Sequence, residues 1–183
     1  VITEPYVTIA GQTAPAPGIT IRGPGVAIDT HDVVMQHVRI RVGNIPGTPI
    51  GLAIRDDATR VVIHHVSVSW SVWTALTVGA NQAGHPTGEV SILDSLVYEA
   101  LACSGVNEVY PCNPDTYPAS SAGWSNSRGV LFGDGWNHPP LKDTMMRTIN
   151  AHNNERHPEI AGARHTIVVN NLIYNPSQTP LGA

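Results

Sequence analysis

The stretch VVIHHVSVSWSVW, residues 61–73, decides the fold of this chain. Apolar residues alternate with other residues along it, and a period of two is typical of a β-strand. Two adjacent histidines, His64 and His65, interrupt the alternation, and the stretch ends in a tryptophan. The pair therefore marks a metal site, a catalytic site or a structural corner between two short strands.

Two short strands around a two-residue corner recur along the chain. Segments that begin at Val33, Val61, Val90 and Ile167 align with one another, at spacings of 28, 29 and 77 residues. The last interval leaves room for one more unit near Met145 and for an inserted loop. The corners of the four segments are Gln36-His37, His64-His65, Leu93-Asp94 and Asn170-Asn171. A period of this length predicts a solenoid, here with about six coils.

The repeat predicts an all-β protein in which each coil of a parallel β-helix stacks on the previous one. Stacked coils would lie about 4.8 Å apart and bury ladders of Val, Ile and Leu that no single coil can bury alone. At the sharp corners, Asn or His side chains can bond to inward-pointing backbone groups. A β-sandwich is the competing arrangement, but it predicts hairpin turns every 8–12 residues or so and no repeating corner.

Composition limits the partners of the chain. Its 183 residues suffice for a sizeable core, and we expect one β-helix domain, 1–183, that is part of a longer chain. The formal charge is −4, and only 13% of the residues are charged. The sequence contains no basic cluster that would predict nucleic-acid binding. It also contains no apolar run of about 18 residues that would predict a membrane span. Nothing in the sequence indicates an oligomeric state.

Two cysteines, Cys103 and Cys112, lie in a loop insert, 102–126, that is rich in Pro, Gly and Asn. Two buried free thiols would suit an intracellular protein, whereas a disulfide would staple an irregular surface loop. We expect the disulfide, and with it an oxidising compartment. The predicted location is therefore secreted or extracellular.

Five segments, taken in chain order, resemble bacterial pectate-lyase-like proteins. They are PYVTIAGQTAPAPGITIRG with DVVMQHVRIRVG, then VVIHHVSVSWSV, SRGVLFGDG, AHNNERHPEIAG and IVVNNLIYNP. The second is similar to the family pattern V-I-D-H-x-S-x-S-W-S-V-D-E, and the last two are similar to the R-x-P and V-x-N-N-x-x-Y elements. The resemblance covers most of residues 5–176. It implies a single-stranded, right-handed parallel β-helix.

The resemblance also implies a reaction, the cleavage of uronic-acid polysaccharides by β-elimination. In pectate lyases an arginine base removes the proton at C5, next to the carboxylate, and the glycosidic bond at C4 breaks. Calcium held between protein and substrate carboxylates stabilises the carbanion. Arg156 stands two residues before Pro158, as in R-x-P, so it is the predicted base. The alternative is a surface arginine paired with Glu155 or Glu159.

The usual calcium ligands of this family do not match. Where the resemblance implies carboxylates, the chain has Leu52, His64 and the pair Trp73-Thr74. Calcium prefers about six to eight oxygen ligands, so leucine, imidazole and indole are poor replacements. Calcium stays a possible cofactor without its usual ligands, and Asp94 and Glu99 are weak alternative ligands.

Other residues are candidates for contacts with an acidic polysaccharide. Arg128 and His152 would help to neutralise the substrate carboxylate. Trp73 would offer a flat ring on which a sugar can stack, and His64 would line the groove.

A transition-metal site made of His64, His65 and Asp94 is the alternative for the paired histidines. It is disfavoured because consecutive residues of a strand point to opposite faces. A corner relaxes this rule only in part. We therefore expect the histidines to bond to corner backbone groups or to line a groove.

Two functions remain open for the chain. The first is a pectate-lyase-like polysaccharide lyase that cleaves an acidic glycan, with a changed substrate or without calcium. The second is a catalytically inactive β-helix that acts as a glycan-binding or structural component of a cell surface or virion. The arginine of R-x-P favours the first function, and the missing calcium ligands favour the second.

Overall fold

The structure is a computed structural model of the chain, and it describes residues 1–47, 49–80, 82, 84–101, 127–133, 142–162 and 165–176. The predicted insert, 102–126, lies outside the described residues. The predicted disulfide between Cys103 and Cys112 lies outside them too. In the described ranges, no helix is long and apolar enough to cross a membrane.

Short strands form three parallel sheets. In stacking order, sheet 1 contains β1 (Val7–Ala10), β4 (Val33–Gln36), β7 (Thr59–His64), β10 (Gly88–Leu93), β13 (Thr144–Met146) and β16 (Ile167–Val169). Sheet 2 contains β2 (Ile19–Arg22), β5 (Val38–Arg41), β8 (Ser67–Ser69), β11 (Leu96–Tyr98), β14 (Ile149–Ala151) and β17 (Leu172–Tyr174). Sheet 3 contains β3 (Val26–Ile28), β6 (Leu52–Ile54), β9 (Thr74–Val78), β12 (Arg128–Phe132) and β15 (Glu159–Ile160). A 3₁₀ turn, Gly11–Thr13, follows β1.

The pairing between strands confirms the predicted parallel β-helix. Each inner strand pairs in parallel with the strand one coil before it and the strand one coil after it; Val33, for example, pairs with Val7 and with Val61. A β-sandwich would instead show antiparallel hairpin neighbours. The coil predicted near Met145 is present as β13 and β14, which stack below β10 and β11.

Inward-facing residues of consecutive coils form apolar ladders in the centre of the solenoid. One ladder contains Met35, Ile63, Ile92 and Met145, all fully buried. Burial of a side chain of this kind contributes about 1.5–3 kcal/mol to folding. Stacking therefore provides the core that a single coil lacks.

In five consecutive coils, one residue adopts a left-handed backbone conformation at the first corner, between sheets 1 and 2. The φ angles there lie between 48° and 55°, a region that is costly for residues other than glycine. The first corner contains His37, His65, Asp94, Arg147 and Asn170. The second corner, between sheets 2 and 3, contains Trp70, Glu99, His152 and Asn175. The third corner, where the chain enters sheet 1, contains Tyr6, Asp32, Arg60, Glu89, Lys142 and His165, of which Arg60 and Glu89 lie at the beginning of β7 and β10.

The register corrects the predicted alignment of the last coil by one residue. Ile167 and Ser91 both pair with Thr144, so Ile167 corresponds to Ser91 and not to Val90. The last corner therefore has Asn170 as its left-handed residue, and Asn171 follows it. A shift of one residue exchanges inward and outward faces, and Asn171 is consequently an inward-facing residue.

Inward-facing polar residues directly after the first corner bond to backbone groups, as the sequence predicted for corner residues. Asn171 accepts from Thr148 N at 2.8 Å and donates to Met145 O at 2.9 Å. Ser95 accepts from Val66 N at 3.2 Å. Thr148 Oγ1 donates to Met146 O at 3.3 Å. The residues that do this are therefore Ser, Thr and Asn, whereas His65 is exposed.

Candidate functional site

A bulge at the start of β15 positions Arg156 beside sheet 3. Glu155 forms a bridge with Arg128, and Glu159 pairs with Leu131. Between these two pairs the chain advances by four residues, from 155 to 159, on one side and by three, from 128 to 131, on the other. The additional residue is that of a β-bulge. Arg156 has φ of 65° within this bulge. The bulge is what directs the Arg156 side chain across the neighbouring coils.

The Arg156 side chain is largely buried and lies between two oxygen partners. Its Nη1 donates to Thr74 Oγ1 at 2.8 Å, and its Nε lies 2.7 Å from Glu159 Oε2. Only 17% of the side chain is exposed. The predicted alternative, an arginine paired with Glu159, is therefore observed, but the residue is not a surface arginine.

A second arginine lies next to Arg156. Arg128 is 8% exposed, its Nε donates to Glu155 Oε2 at 3.2 Å, and its guanidinium lies 3.9 Å from the centre of the Trp73 ring. Stacking of this kind contributes about 0.5–2 kcal/mol and fixes the plane of the guanidinium. We name the group the arginine cluster: Trp73, Thr74, Arg128, Glu155, Arg156 and Glu159.

The electrostatics of the arginine cluster act on Arg156. Burial lowers the pKa of Arg156 from its ordinary value, because the charged guanidinium loses water. Glu159 opposes this effect, Arg128 adds to it, and Glu155 opposes it. The net direction is downward. A proton-free guanidine is therefore less costly here than at the surface.

Buried amides and a glycine hold the backbone of Arg156 in place. Asn150 Nδ2 donates to Arg156 O at 3.0 Å, and Asn153 Nδ2 donates to Asn150 Oδ1 at 2.6 Å. A Cβ added to Gly129 would lie 2.4 Å from Arg156 O, so only glycine allows this approach. Sequence reasoning missed these three residues, although the closely spaced asparagines in INAHNN were a signal.

His64 and Asp94 lie at the first corner, apart from the arginine cluster. His64 Nε2 is 3.2 Å from Asp94 Oδ2, and Arg147 binds Asp94 through two contacts of 2.6 and 2.7 Å. Arg147 holds the pKa of Asp94 at about 2. The rings of His64 and His65 stack at 4.1 Å, with His37 at 4.7 Å from His65. Within the described ranges, no three His, Cys, Asp or Glu side chains converge as a metal ion would require.

Glu99 and His152 lie at the second corner. Glu99 accepts from Trp70 Nε1 at 3.3 Å. His152 contacts the coil below it, with its Nδ1 2.9 Å from Asn175 Nδ2 and its ring edge-to-face with Tyr174. The structure thus brings Arg156, Arg128 and Trp73 together, whereas Glu99 and His152 contact other residues.

The comparison with curated proteins finds distant relatives. "Probable pectate lyase C" of Aspergillus flavus is 26% identical over 179 residues, which cover 96% of this chain and 34% of the relative. The proteins of that name from Aspergillus fumigatus and Emericella nidulans are each 24% identical, over 179 and 176 residues, 96% and 95% of this chain and 34% of each relative. The chain is similar to pectate-lyase-like proteins. It spans about a third of the length of the curated relatives it matches.

These relatives are fungal, so the bacterial part of the predicted resemblance is not supported. No protein-family model matches the chain. No solved structure matches it either. The pectate-lyase-like resemblance thus rests on distant relatives and on the parallel β-helix.

The positions that would supply calcium ligands in a pectate lyase do not fit calcium here. Leu52 is fully buried in the core, and Thr74 is buried and accepts from Arg156. Trp73 lies against Arg128, and His64 pairs with Asp94 at the first corner. None of these groups offers a carboxylate, and calcium requires several oxygen ligands.

Proposed function

We propose that this protein is a pectate-lyase-like polysaccharide lyase that cleaves an acidic glycan by β-elimination, with Arg156 as the base. The observation that carries the proposal is the burial of Arg156 beside Arg128, which lowers the pKa of the base. A base must spend part of its time without its proton, and an exposed arginine does so too rarely. The distant relatives support the same reaction class.

The proposed reaction needs one proton acceptor and one stabilised carbanion. The proton-free guanidine of Arg156 takes the proton at C5 of a uronic acid. The electron pair left at C5 forms the C4–C5 double bond as the C4–O bond breaks, and the leaving oxygen takes a proton from water. The sugar carboxylate draws charge from C5, so a positive group beside it lowers the barrier.

Arg128 is the residue that would supply this positive charge. Trp73 and Glu155 fix the orientation of its guanidinium. His152, Trp73 and His64 stay proposed substrate contacts. Because acidic polysaccharides are polymers of cell walls and matrices, we propose a secreted or extracellular location.

The test is an assay with polygalacturonate and other uronic-acid polymers, with and without calcium or a chelator. The unsaturated product is followed by its ultraviolet absorbance. We expect activity that the Arg156→Ala variant loses by about 10²–10⁴-fold. Arg147→Ala is the matched control, because it removes an arginine from an ion pair at the first corner.

Two outcomes would contradict different parts of the proposal. A folded protein that yields no product from any of these polymers refutes the lyase. Product formation that survives in Arg156→Ala refutes the base but not the reaction. Far-ultraviolet circular dichroism of each variant shows whether the β-helix is intact.

The second candidate function is glycan binding without cleavage, on the same scaffold. The observation that favours it is that Glu159 pairs with Arg156 and favours the charged form of its guanidinium, which opposes its use as a base. Binding of polygalacturonate without any product, in the assay above, would establish it.

A further inference from the structure

Sheet 2 has an outer face on which the described residues include arginines and no Asp or Glu. Side chains alternate along its strands, so Val38 and Ile40 are buried while Arg39 and Arg41 point outward. The outward positions form two rows along the solenoid axis. The rows are Thr20, Arg39, Ser67, Leu96, Ile149 and Leu172, and Arg22, Arg41, Ser69, Tyr98, Ala151 and Tyr174. Ser69 and Ala151 are small and buried, so the accessible side chains of the second row are those of its arginines and tyrosines. We name this surface the sheet-2 outer face.

The arginines of this face differ from the others in their partners. Elsewhere in the described part of the chain, each arginine lies within 3.2 Å of a carboxylate oxygen: Arg55, Arg60, Arg128, Arg147 and Arg156. Arg22, Arg39 and Arg41 have no carboxylate partner among the described residues. The chain as a whole has a charge of −4. Positive charge is thus concentrated on one face of an acidic protein.

Neutral acceptors hold two of these arginines in place. Arg41 Nη1 donates to Ser67 O at 2.9 Å, Nη2 donates to Ser67 Oγ at 2.8 Å, and the guanidinium lies 5.4 Å from the centre of the Tyr98 ring. Arg39 donates from Nε to Thr20 Oγ1 at 3.0 Å and from Nη2 to Pro17 O. Such contacts orient the guanidinium but leave its charge uncompensated. An oriented guanidinium binds a carboxylate with less loss of entropy.

The rest of the face changes from charged to aromatic along the solenoid axis. Arg22 and Arg41 are neighbours at one end, one coil apart at about 4.8 Å. Tyr98 and Tyr174 follow in the same row at the other end, and Tyr174 is 58% exposed. Tyrosine rings stack on the apolar faces of sugars. A polymer that has both carboxylates and sugar rings matches this order.

We propose that the sheet-2 outer face is a binding surface for an acidic polysaccharide, separate from the arginine cluster. The polymer lies along the solenoid axis, its carboxylates on Arg22, Arg39 and Arg41 and a sugar ring on Tyr174. The ligand class is that of the proposed function, but the surface needs no cleavage. Its role is to hold the polymer on the protein while the arginine cluster engages another part of it.

The test is affinity electrophoresis of the whole chain in gels that contain polygalacturonate. The Arg156→Ala background limits cleavage, and ultraviolet absorbance reports any that remains. The double variant Arg39→Gln, Arg41→Gln is compared with Arg60→Gln, Arg147→Gln, which loses the same charge from the third and first corners. We expect the first double variant to bind about fivefold to tenfold more weakly, and the control to change less than about twofold.

Three results would overturn the proposal. One is an equal loss of binding in the two double variants, which would indicate net charge and not a site. Another is equal retardation by DNA, which would indicate a general attraction for polyanions. The third is a combination of two results: Tyr174→Ala leaves the binding unchanged, and neutral galactan retards the protein as much as polygalacturonate does. Because retardation reports binding and not product formation, failure of the lyase assay does not affect these results.

Discussion

Asp143 is a buried carboxyl group inside the solenoid, and its replacement by asparagine tests the structure most directly. It occupies an inward row of sheet 1 next to Val90 and is fully buried. Its Oδ1 accepts from Val90 N at 3.1 Å, and its Oδ2 has no hydrogen-bond partner among the described residues. Burial raises the pKa of Asp143 to about 7. The folded protein therefore favours the protonated form.

The magnitude follows from this pKa. In the unfolded chain the group titrates near 3.8. Each pH unit between that value and about 7 changes the free energy of unfolding by about 1.36 kcal/mol. The stability that protonated Asp143 provides is thus complete below about pH 4 and lost as the pH rises through 7. The total loss is about 4 kcal/mol.

The Asp143→Asn variant keeps an oxygen for Val90 N and cannot ionise. We expect it to be more stable than the natural chain at pH 8, by an amount on the order of 4 kcal/mol, and similar to it at pH 4. Urea denaturation at several pH values measures both. Glu89→Gln, at the exposed third corner, is the control, because it removes a surface carboxylate and keeps Asp143. A variant that retains the slope of the natural chain would refute the reasoning.

Three further predictions concern the candidate site, a corner and a surface pair. Gly129→Ala places a Cβ against Arg156 O, so lyase activity is expected to fall by about 10²-fold, measured by product absorbance; unchanged activity would contradict the role of this contact. Asn171→Ala leaves two backbone groups without partners, and chemical denaturation should show a loss of about 1–3 kcal/mol; a loss below about 0.5 kcal/mol would argue against the ladder. Asp57 raises the pKa of His85, so NMR titration of Asp57→Asn should move that pKa down; no movement would refute the pairing.

Most of the fold could be predicted because the regular spacing of apolar residues shows the repeat. Val33, Val61 and Val90 start equivalent strands and stack in register, as their spacing indicates. The last coil was misaligned by one residue because Ile167, Val168 and Val169 are all apolar, and such a run does not show which side faces inward. In the structure Val168 stacks on the buried Met145, and Ile167 and Val169 stack on Thr144 and Met146, so the register and not the residue type distinguishes the two faces.

The candidate site could be predicted only in part. The R-x-P resemblance indicated Arg156, and the structure adds Arg128 and Trp73 as its neighbours. The sequence also predicts that His64 lines the groove. In the structure His64 lies at the first corner beside Asp94, whereas Trp73 and Arg128 lie beside sheet 3. Contacts such as Asn150 to Arg156 O depend on the bulge, and a bulge has no signal in the apolar period.

The third corner holds charges of alternating sign, since Asp32, Arg60, Glu89 and Lys142 occupy equivalent positions in consecutive coils. Arg60 binds Asp32 at 2.6 Å, and Glu89 also raises the pKa of Arg60. Deletion of one inner coil would place two like charges side by side, whereas deletion of two would restore opposite neighbours. We therefore expect the charges of this corner to favour the loss of an even number of inner coils over the loss of an odd number.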